Sequence, residues 1–332
     1  MHRESRFSEF RKRIAPQMQE VAFMLKRMSK SPLSITGLSI VIFFAAIAIL
    51  APVLAPPLPG KNPFMIPQPI PYAQQPQPPS TTYPFGTAQN EFDLYYGMVW
   101  GTITAFRLGL TVVGVSLAIG LLFGVVAGYY GGVIDELMMR FTDVIFAFPG
   151  LILAMALAIA IPTRTPITIA NLGFTTLSVT LTGLDVVTIA LVLVGWPGYT
   201  RLIRGEILRV KTEDYVEAAK AVGCSDSRVI ARHILPNAVY PLLIVATLDI
   251  GAMVLVAAAL GFLGIGAEEG FADWGRLIST SRTWIYAGRG SDAFKYWYTF
   301  LIPGLFIFTF TLGWNLLGDA FRDILDPMLR RR

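Results

Sequence analysis

Cysteine occurs once in this chain, at Cys224, and histidine twice, at His2 and His233. A single thiol excludes a disulfide framework and a Cys-based metal site within one chain, and two histidines so far apart argue against a His-based one. Charge is scarce as well. Asp, Glu, Lys and Arg make up 15% of the residues, against about 25% in soluble domains. A phosphate loop of the form GxxxxGK[ST] is missing: Gly60-Lys61 is followed by Asn62-Pro63 and lacks the preceding pattern. The chain therefore does not bind ATP in that way. No basic stretch outside the apolar runs is interleaved with stacking aromatics, which excludes a nucleic-acid footprint.

What is abundant is apolar side chain. Hydrophobic residues are 54% of the chain and the mean hydropathy is +0.58. A soluble protein of this size would expose large apolar patches; a lipid bilayer solves the problem by acting as the solvent. Crossing a ~30 Å hydrocarbon core takes about 20 residues at ~1.5 Å each. Residues 33–53 carry no charge and form the first predicted span. The run is too long, and too crowded by Pro52, Pro56 and Pro57, for a cleavable signal. Further spans are predicted over 108–129, 144–161 with Pro149-Gly150 near its start, 177–200 with Asp185, 239–264 with Asp249, and 298–317. The expectation is an all-α membrane protein with six transmembrane helices. All six tryptophans fall near predicted span ends or in flanking loops, where interfacial aromatics sit.

Placing the N-terminus inside puts 20 of the 27 Lys and Arg residues on the inner side and six on the outer. That asymmetry orients the chain with both termini on the cytoplasmic side of the membrane. The domain reading is then a cytoplasmic segment 1–32, a first helix 33–55, an outer Pro-rich segment 56–102, a transmembrane core 103–317 with a cytoplasmic loop 206–237, and a cytoplasmic tail 318–332. Eleven of the 22 prolines lie in 56–84. Proline holds chain extended and donates no backbone hydrogen bond, so this stretch is either an outer strap or an inert spacer. Gly120, Gly124 and Gly128 recur at four-residue spacing and line one helix face, where a neighbouring backbone can approach closely.

The loop 211–237 reads KTEDYVEAAKAVGCSDSRVIARHILPN. Tyr215, Ala218, Ala219 and Val222 follow i, i+3, i+4, i+7 and predict one apolar helix face. Glu213 and Asp214 sit where the helix dipole favours anions, and Gly223 supplies a left-handed stop. Ser225 or Asp226 caps a second short helix, whose apolar edge is Val229, Ile230, His233 and Ile234 and which Pro236 closes. A helix of about ten residues is marginal alone, and small alanines let it lie in a narrow groove. Docking into a groove on another protein is the expectation; lying on lipid headgroups is the alternative.

Glu217-Ala218-Ala219, Gly223 and Ile234-Leu235-Pro236 resemble the EAA loop of ATP-binding-cassette importer permeases, and His233 to Asn237 is similar to the dipeptide/oligopeptide/nickel subfamily. Pro84 to Thr87, Gly128 to Gly132, Phe148-Pro149, Phe262 to Gly266, Asp273 to Gly275, Asn315 to Asp319 and Arg322 to Pro327 are similar to its C-type subunit. After Thr87 the chain departs from the family pattern and reads Ala88-Gln89-Asn90-Glu91-Phe92-Asp93.

The resemblance implies a type I importer permease fold with a MetI-like core. It implies a non-enzymatic subunit carrying di- or oligopeptides, partnered by a sister permease, two ATPase subunits and an extracytoplasmic solute-binding protein. ATP and Mg would sit on the ATPases, with no cofactor or metal held by this chain. Tyr215, Glu217, Ala218, Ala219, Val222, Gly223, Leu235 and Pro236 would couple to the ATPases, flanked by Arg201, Arg204 and Arg209. Asp249 would either line the pathway or bond a neighbouring helix, and Asp185 would sit at the outer interface. The rivals are a secondary transporter using Asp249 and Asp185 as coupling carboxylates and a membrane-embedded enzyme, for which no clustered catalytic set is visible within the spans.

Overall fold

The computed structural model describes residues 31–68, 75–163, 166–171, 176–285 and 294–325. The predicted N-terminal segment, apart from Ser31 and Pro32, and the tail beyond Leu325 lie outside them.

Helix α1 spans Pro32–Leu54. Ser31 caps it by accepting from the Ser34 amide, and Pro32 occupies the first turn, where its missing N–H costs nothing. Helix α2 spans Leu94–Tyr130, 37 residues, or roughly 55 Å at ~1.5 Å per residue. It begins fourteen residues before the predicted span, because its first turns pack against this chain's own Pro-rich segment. Asp93 caps it through the Tyr95 amide at 2.9 Å.

Gly131 and Gly132, at φ 68° and 59°, break the chain into α3, Gly132–Phe146. Pro149 then separates α3 from α4, Gly150–Ala160, with a bend of 85°. The expected single third span is thus a bent pair, since proline cannot continue the helical ladder. Five described helices are long and apolar enough to cross a bilayer, and six crossings result if this pair counts as one.

A second correction concerns the fourth span, in a fold whose spans are all helical as expected. Residues Pro166–Asn171 (β1) and Thr176–Thr180 (β2) pair as a small antiparallel hairpin between helices. Helix α5 starts only after it, at Gly183, and runs to Val210. Thr182 and Asp185 form a reciprocal capping box at its start. The loop continues as α6 (Asp214–Ala221), α7 (Asp226–Val229), a π turn (Ile230–Ile234) and α8 (Leu235–Ala238). Helices α9 (Tyr240–Phe262), α10 (Trp274–Ile285) and α11 (Tyr298–Leu325) complete the chain.

The bundle is organised by α2 against α5, α9 against α11, and α1 against α11 and α2. Phe44 of α1 sits among Trp274, Phe306 and Phe310, with ring centroids 5.3–6.0 Å away. Trp100, Trp196 and Trp274 are buried, and Trp314 packs on the same aromatic core. These four therefore act as interior packing groups, contrary to the interfacial expectation. Trp100 and Trp274 each donate to a backbone carbonyl, Ala55 at 2.9 Å and Met98 at 3.2 Å, which satisfies their N–H away from water.

The described residues of the Pro-rich segment form a fastened strap. The Ile66 amide donates to Gly270 and the Ala272 amide to Phe64, both at 2.8 Å. Tyr96 donates to the Pro63 carbonyl at 2.8 Å, and Phe64 stacks on Phe271. Farther along, the Gln77 amide donates to the Thr87 hydroxyl and the Thr87 amide to the Gln77 carbonyl, both at 2.9 Å, and the Gln77 side-chain amide donates to Glu91. Asn90 and Glu91, where the chain departs from the family pattern, hold φ of 60° and 55°, a region non-glycine residues seldom enter.

Candidate functional site

The seam between α2 and α5 positions everything at the loop end of the molecule. Ser116, Gly120, Gly124 and Gly128 repeat every four residues and face α5. A Cβ at Gly120 would lie 2.9 Å from the Trp196 carbonyl oxygen, and one at Gly128 3.0 Å from Ile207 Cγ2. The backbones touch, so the glycine stripe packs α2 closely on α5.

The second seam joins α3 to α5. Arg204 grips Asp135 with both Nε and Nη2, the latter at 2.5 Å. Arg201 pairs with Asp143, donates from Nε to Thr142 at 3.3 Å, and lies 4.3 Å over the Phe146 ring. Arg209 pairs with Glu206 at 2.8 Å. The three arginines expected to flank a dock are thus engaged within the chain, with partners 58 and 69 residues away in sequence for Arg201 and Arg204. Asp135→Arg or Arg204→Asp alone is expected to lower the midpoint of heat-induced aggregation of the detergent-solubilised protein by several degrees, because each leaves a half-buried charge facing its like. The double swap is expected to recover most of the loss.

Asp249 accepts a hydrogen bond from the Tyr199 hydroxyl at 2.6 Å. It ties α9 to α5, as the helix–helix expectation requires. Asp185 caps α5 and pairs with Arg107 at 3.2 Å, so the two carboxylates serve separate structural roles. Asp249→Asn keeps an acceptor for Tyr199 and is expected to retain at least half of wild-type transport in vesicles. A proton-coupling carboxylate would lose transport altogether on that change.

The loop itself is anchored from within. Val216, Val229, Ile234 and Ala238 are fully buried, and Ala219 is 7% exposed. On the other side of α6, Tyr215 is 42% and Val222 80% exposed, with Glu217 and Ala218 also outward. The predicted face therefore splits: Tyr215, Ala218 and Val222 form the free edge, whereas Ala219 packs inward. The stripe was correctly apolar, but its rotation depends on the core that α6 meets. Burial and the nearby Glu213 raise the Tyr215 pKa, with Arg209 opposing, so the phenol is neutral at pH 7. Gly223 sits at φ 81° with open space around it, and ends α6 as expected. Leu235 is half-buried and Pro236 exposed; Pro236 lies in the first turn of α8 and does not close the preceding helix. Ser225 takes the cap position of α7 without a side-chain bond.

At the strap end, a cavity of ≈ 810 Å³ opens between the end of α4, the start of α5 and the turn 264–268, with Arg276 on its wall.

Residues 120–331 match the family described as binding-protein-dependent transport system inner membrane component. Residues 21–79 match the N-terminal TM domain of oligopeptide transport permease C. The chain is 35% identical over 305 residues to the dipeptide transport system permease protein DppC of Alkalihalophilus pseudofirmus, covering 92% of this chain and 89% of that one. It is 34% identical to the probable D,D-dipeptide transport system permease protein DdpC of Escherichia coli K12, covering 96% and 97%. It is 28% identical to the oligopeptide transport system permease protein OppC of Bacillus subtilis, covering 92% and 88%. Among solved structures, inward-facing MetNI methionine ABC transporter is similar at a TM-score of 0.47 and 16% identity, over 70% of this chain and 97% of that one.

Proposed function

The chain belongs to the family of binding-protein-dependent transport system inner membrane components, and from that premise we propose that it is one permease subunit of an ATP-driven importer of di- or oligopeptides. It is a multi-pass membrane protein and a non-enzymatic transport subunit. The peptide substrate follows the names of its relatives, which are dipeptide and oligopeptide permeases.

The observation that carries the coupling role is the two-sided α6. Its Val216 and Ala219 are locked into the permease, while Tyr215, Ala218 and Val222 are left outside. An ATPase subunit docks on that edge, and movement of the dock is passed inward because the opposite edge is buried. Glu217, Gly223, Leu235 and Pro236 shape the same surface. ATP and Mg belong to the ATPases, consistent with a chain that has no phosphate loop. The loop end faces the cytoplasm together with both termini, as the distribution of Lys and Arg supports.

A sister permease completes the pathway, and a solute-binding protein delivers substrate to the strap end. The cavity there lies within the ~300–1,000 Å³ range of small-ligand sites. Spans α2, α5, α9 and α11 then alternate between states open to either side.

The test is reconstitution of the chain with its sister permease, ATPases and binding protein in liposomes. Labelled dipeptide is expected to accumulate only with ATP and the binding protein present. Accumulation driven by an ion gradient without ATP would overturn the reading.

A further inference from the structure

The Gly128 to Gly132 stretch has no role in docking or in the α2–α5 seam beyond Gly128, yet it holds a side chain with several partners at the loop end. Tyr129 is 6% exposed and stands at the penultimate position of α2. Its hydroxyl donates to Asp226 of α7 at 2.5 Å. Its carbonyl accepts from Lys211, the residue that ends α5, at 2.5 Å. Its ring carries the Lys211 ammonium at 5.6 Å and the Lys220 ammonium of α6 at 5.3 Å, within the range of a cation–π contact. One residue of α2 thus touches three consecutive pieces of the loop.

The turn beyond Tyr129 matters equally. Gly131 and Gly132 both hold positive φ, and nothing lies within 4 Å of where their side chains would be. They form an unobstructed elbow between α2 and α3. Past this elbow, α3 is gripped by Arg204 and Arg201 of α5. A displacement of α6 and α7 therefore reaches the end of α2 through Tyr129, immediately before the point where the chain turns freely.

We propose that Tyr129 is a positioning residue for energy coupling: it clamps the loop helices to the end of α2, so that movement of the docked loop is delivered to the transmembrane helices at the Gly131-Gly132 elbow. The inference rests on the reading of α6 as the ATPase dock. Tyr129 touches neither the docking edge nor the outer cavity, so its removal should separate ATP hydrolysis from transport rather than abolish either binding event.

The experiment uses the full reconstituted importer and measures the number of labelled dipeptides moved per ATP hydrolysed. Tyr129→Phe keeps the ring under both lysines and removes only the hydroxyl, and Asp226→Asn removes the charge that receives it. Each is expected to lower the transport-to-hydrolysis ratio by about tenfold, the worth of one charge-assisted hydrogen bond. The double variant should lose no more than either single one, since both break the same link. Assembly with the ATPases, measured by co-purification, should stay within about twofold of wild type.

An unchanged ratio in both single variants overturns the proposal. So does a fall in hydrolysis and transport in proportion with the amount of assembled complex, which is what a purely structural tyrosine predicts. A wild-type complex that shows no ATP-dependent transport overturns the docking reading itself, and this inference with it.

Discussion

Leucine in place of Gly124 is expected to reduce the amount of folded protein in the membrane by about tenfold. Even a methyl group at this position would overlap Ile203 Cγ2 and approach the Thr200 carbonyl oxygen to 2.5 Å. One obstacle is backbone, so no rotamer change relieves it, and α2 must move away from α5. Overpacking a close contact costs about 1–3 kcal/mol even where side chains can yield, and ~1–2 kcal/mol already changes abundance several-fold. Separation of the helices would also disturb the neighbouring contacts of Gly120 and Gly128 and the Ser116 to Val192 bond at 3.4 Å. Gly114 on the same helix provides the control, because it is exposed with open space around it. Gly114→Leu should accumulate normally. Immunoblots of washed membranes and thermal aggregation in detergent report both variants. Wild-type levels and stability in Gly124→Leu would show that the seam is not close-packed.

Val222→Glu is expected to leave the permease folded and remove it from its ATPases. Val222 is 80% exposed at the end of α6, so a carboxylate there meets water in the isolated chain. In a docked complex it would be buried against the partner without a counter-charge. Loss of a central apolar anchor costs about 2 kcal/mol or more, and that corresponds to a roughly thirtyfold weaker complex. Titration of fluorescent ATPase onto the solubilised permease measures it directly. Ala219→Glu separates the two faces of the helix: Ala219 is buried in the permease, so that variant should lose folded protein first. Equal ATPase affinity in wild type and Val222→Glu would place the dock elsewhere.

The spans governed by lipid were readable from hydropathy alone. Residues 33–53 and 239–264 foretold α1 and α9 to within two residues at each end, because an apolar run of that length with at most one charge has few alternatives. The glycine stripe and the left-handed Gly223 were legible for a similar reason: their chemistry permits little else. Features set by tertiary contact were hidden. The first third of α2 lies ahead of the predicted span, and the strap and α10 pack on it. Residues 177–180 read as the start of an apolar span, yet they alternate in a way that suits β2. The inward turn of Ala219, the engagement of Arg201 and Arg204, and the interior tryptophans all depend on partners tens of residues away. Tyr129 gave no signal beyond its place in the Gly128 to Gly132 stretch.

The pairing of α1 with α11 has a consequence in time. A ribosome delivers α1 first and α11 last. Phe44 has no seat until Phe306 and Phe310 arrive, and Ile66 and Phe64 have no backbone partners until Gly270 and Ala272 have been synthesised. During synthesis the first helix therefore waits without the aromatic partners of Phe44, and the strap waits unfastened. The chain is closed into its final form only when its two ends meet. A nascent protein released before α11 would carry an unfilled aromatic seat around Phe44 and expose apolar surface that invites aggregation.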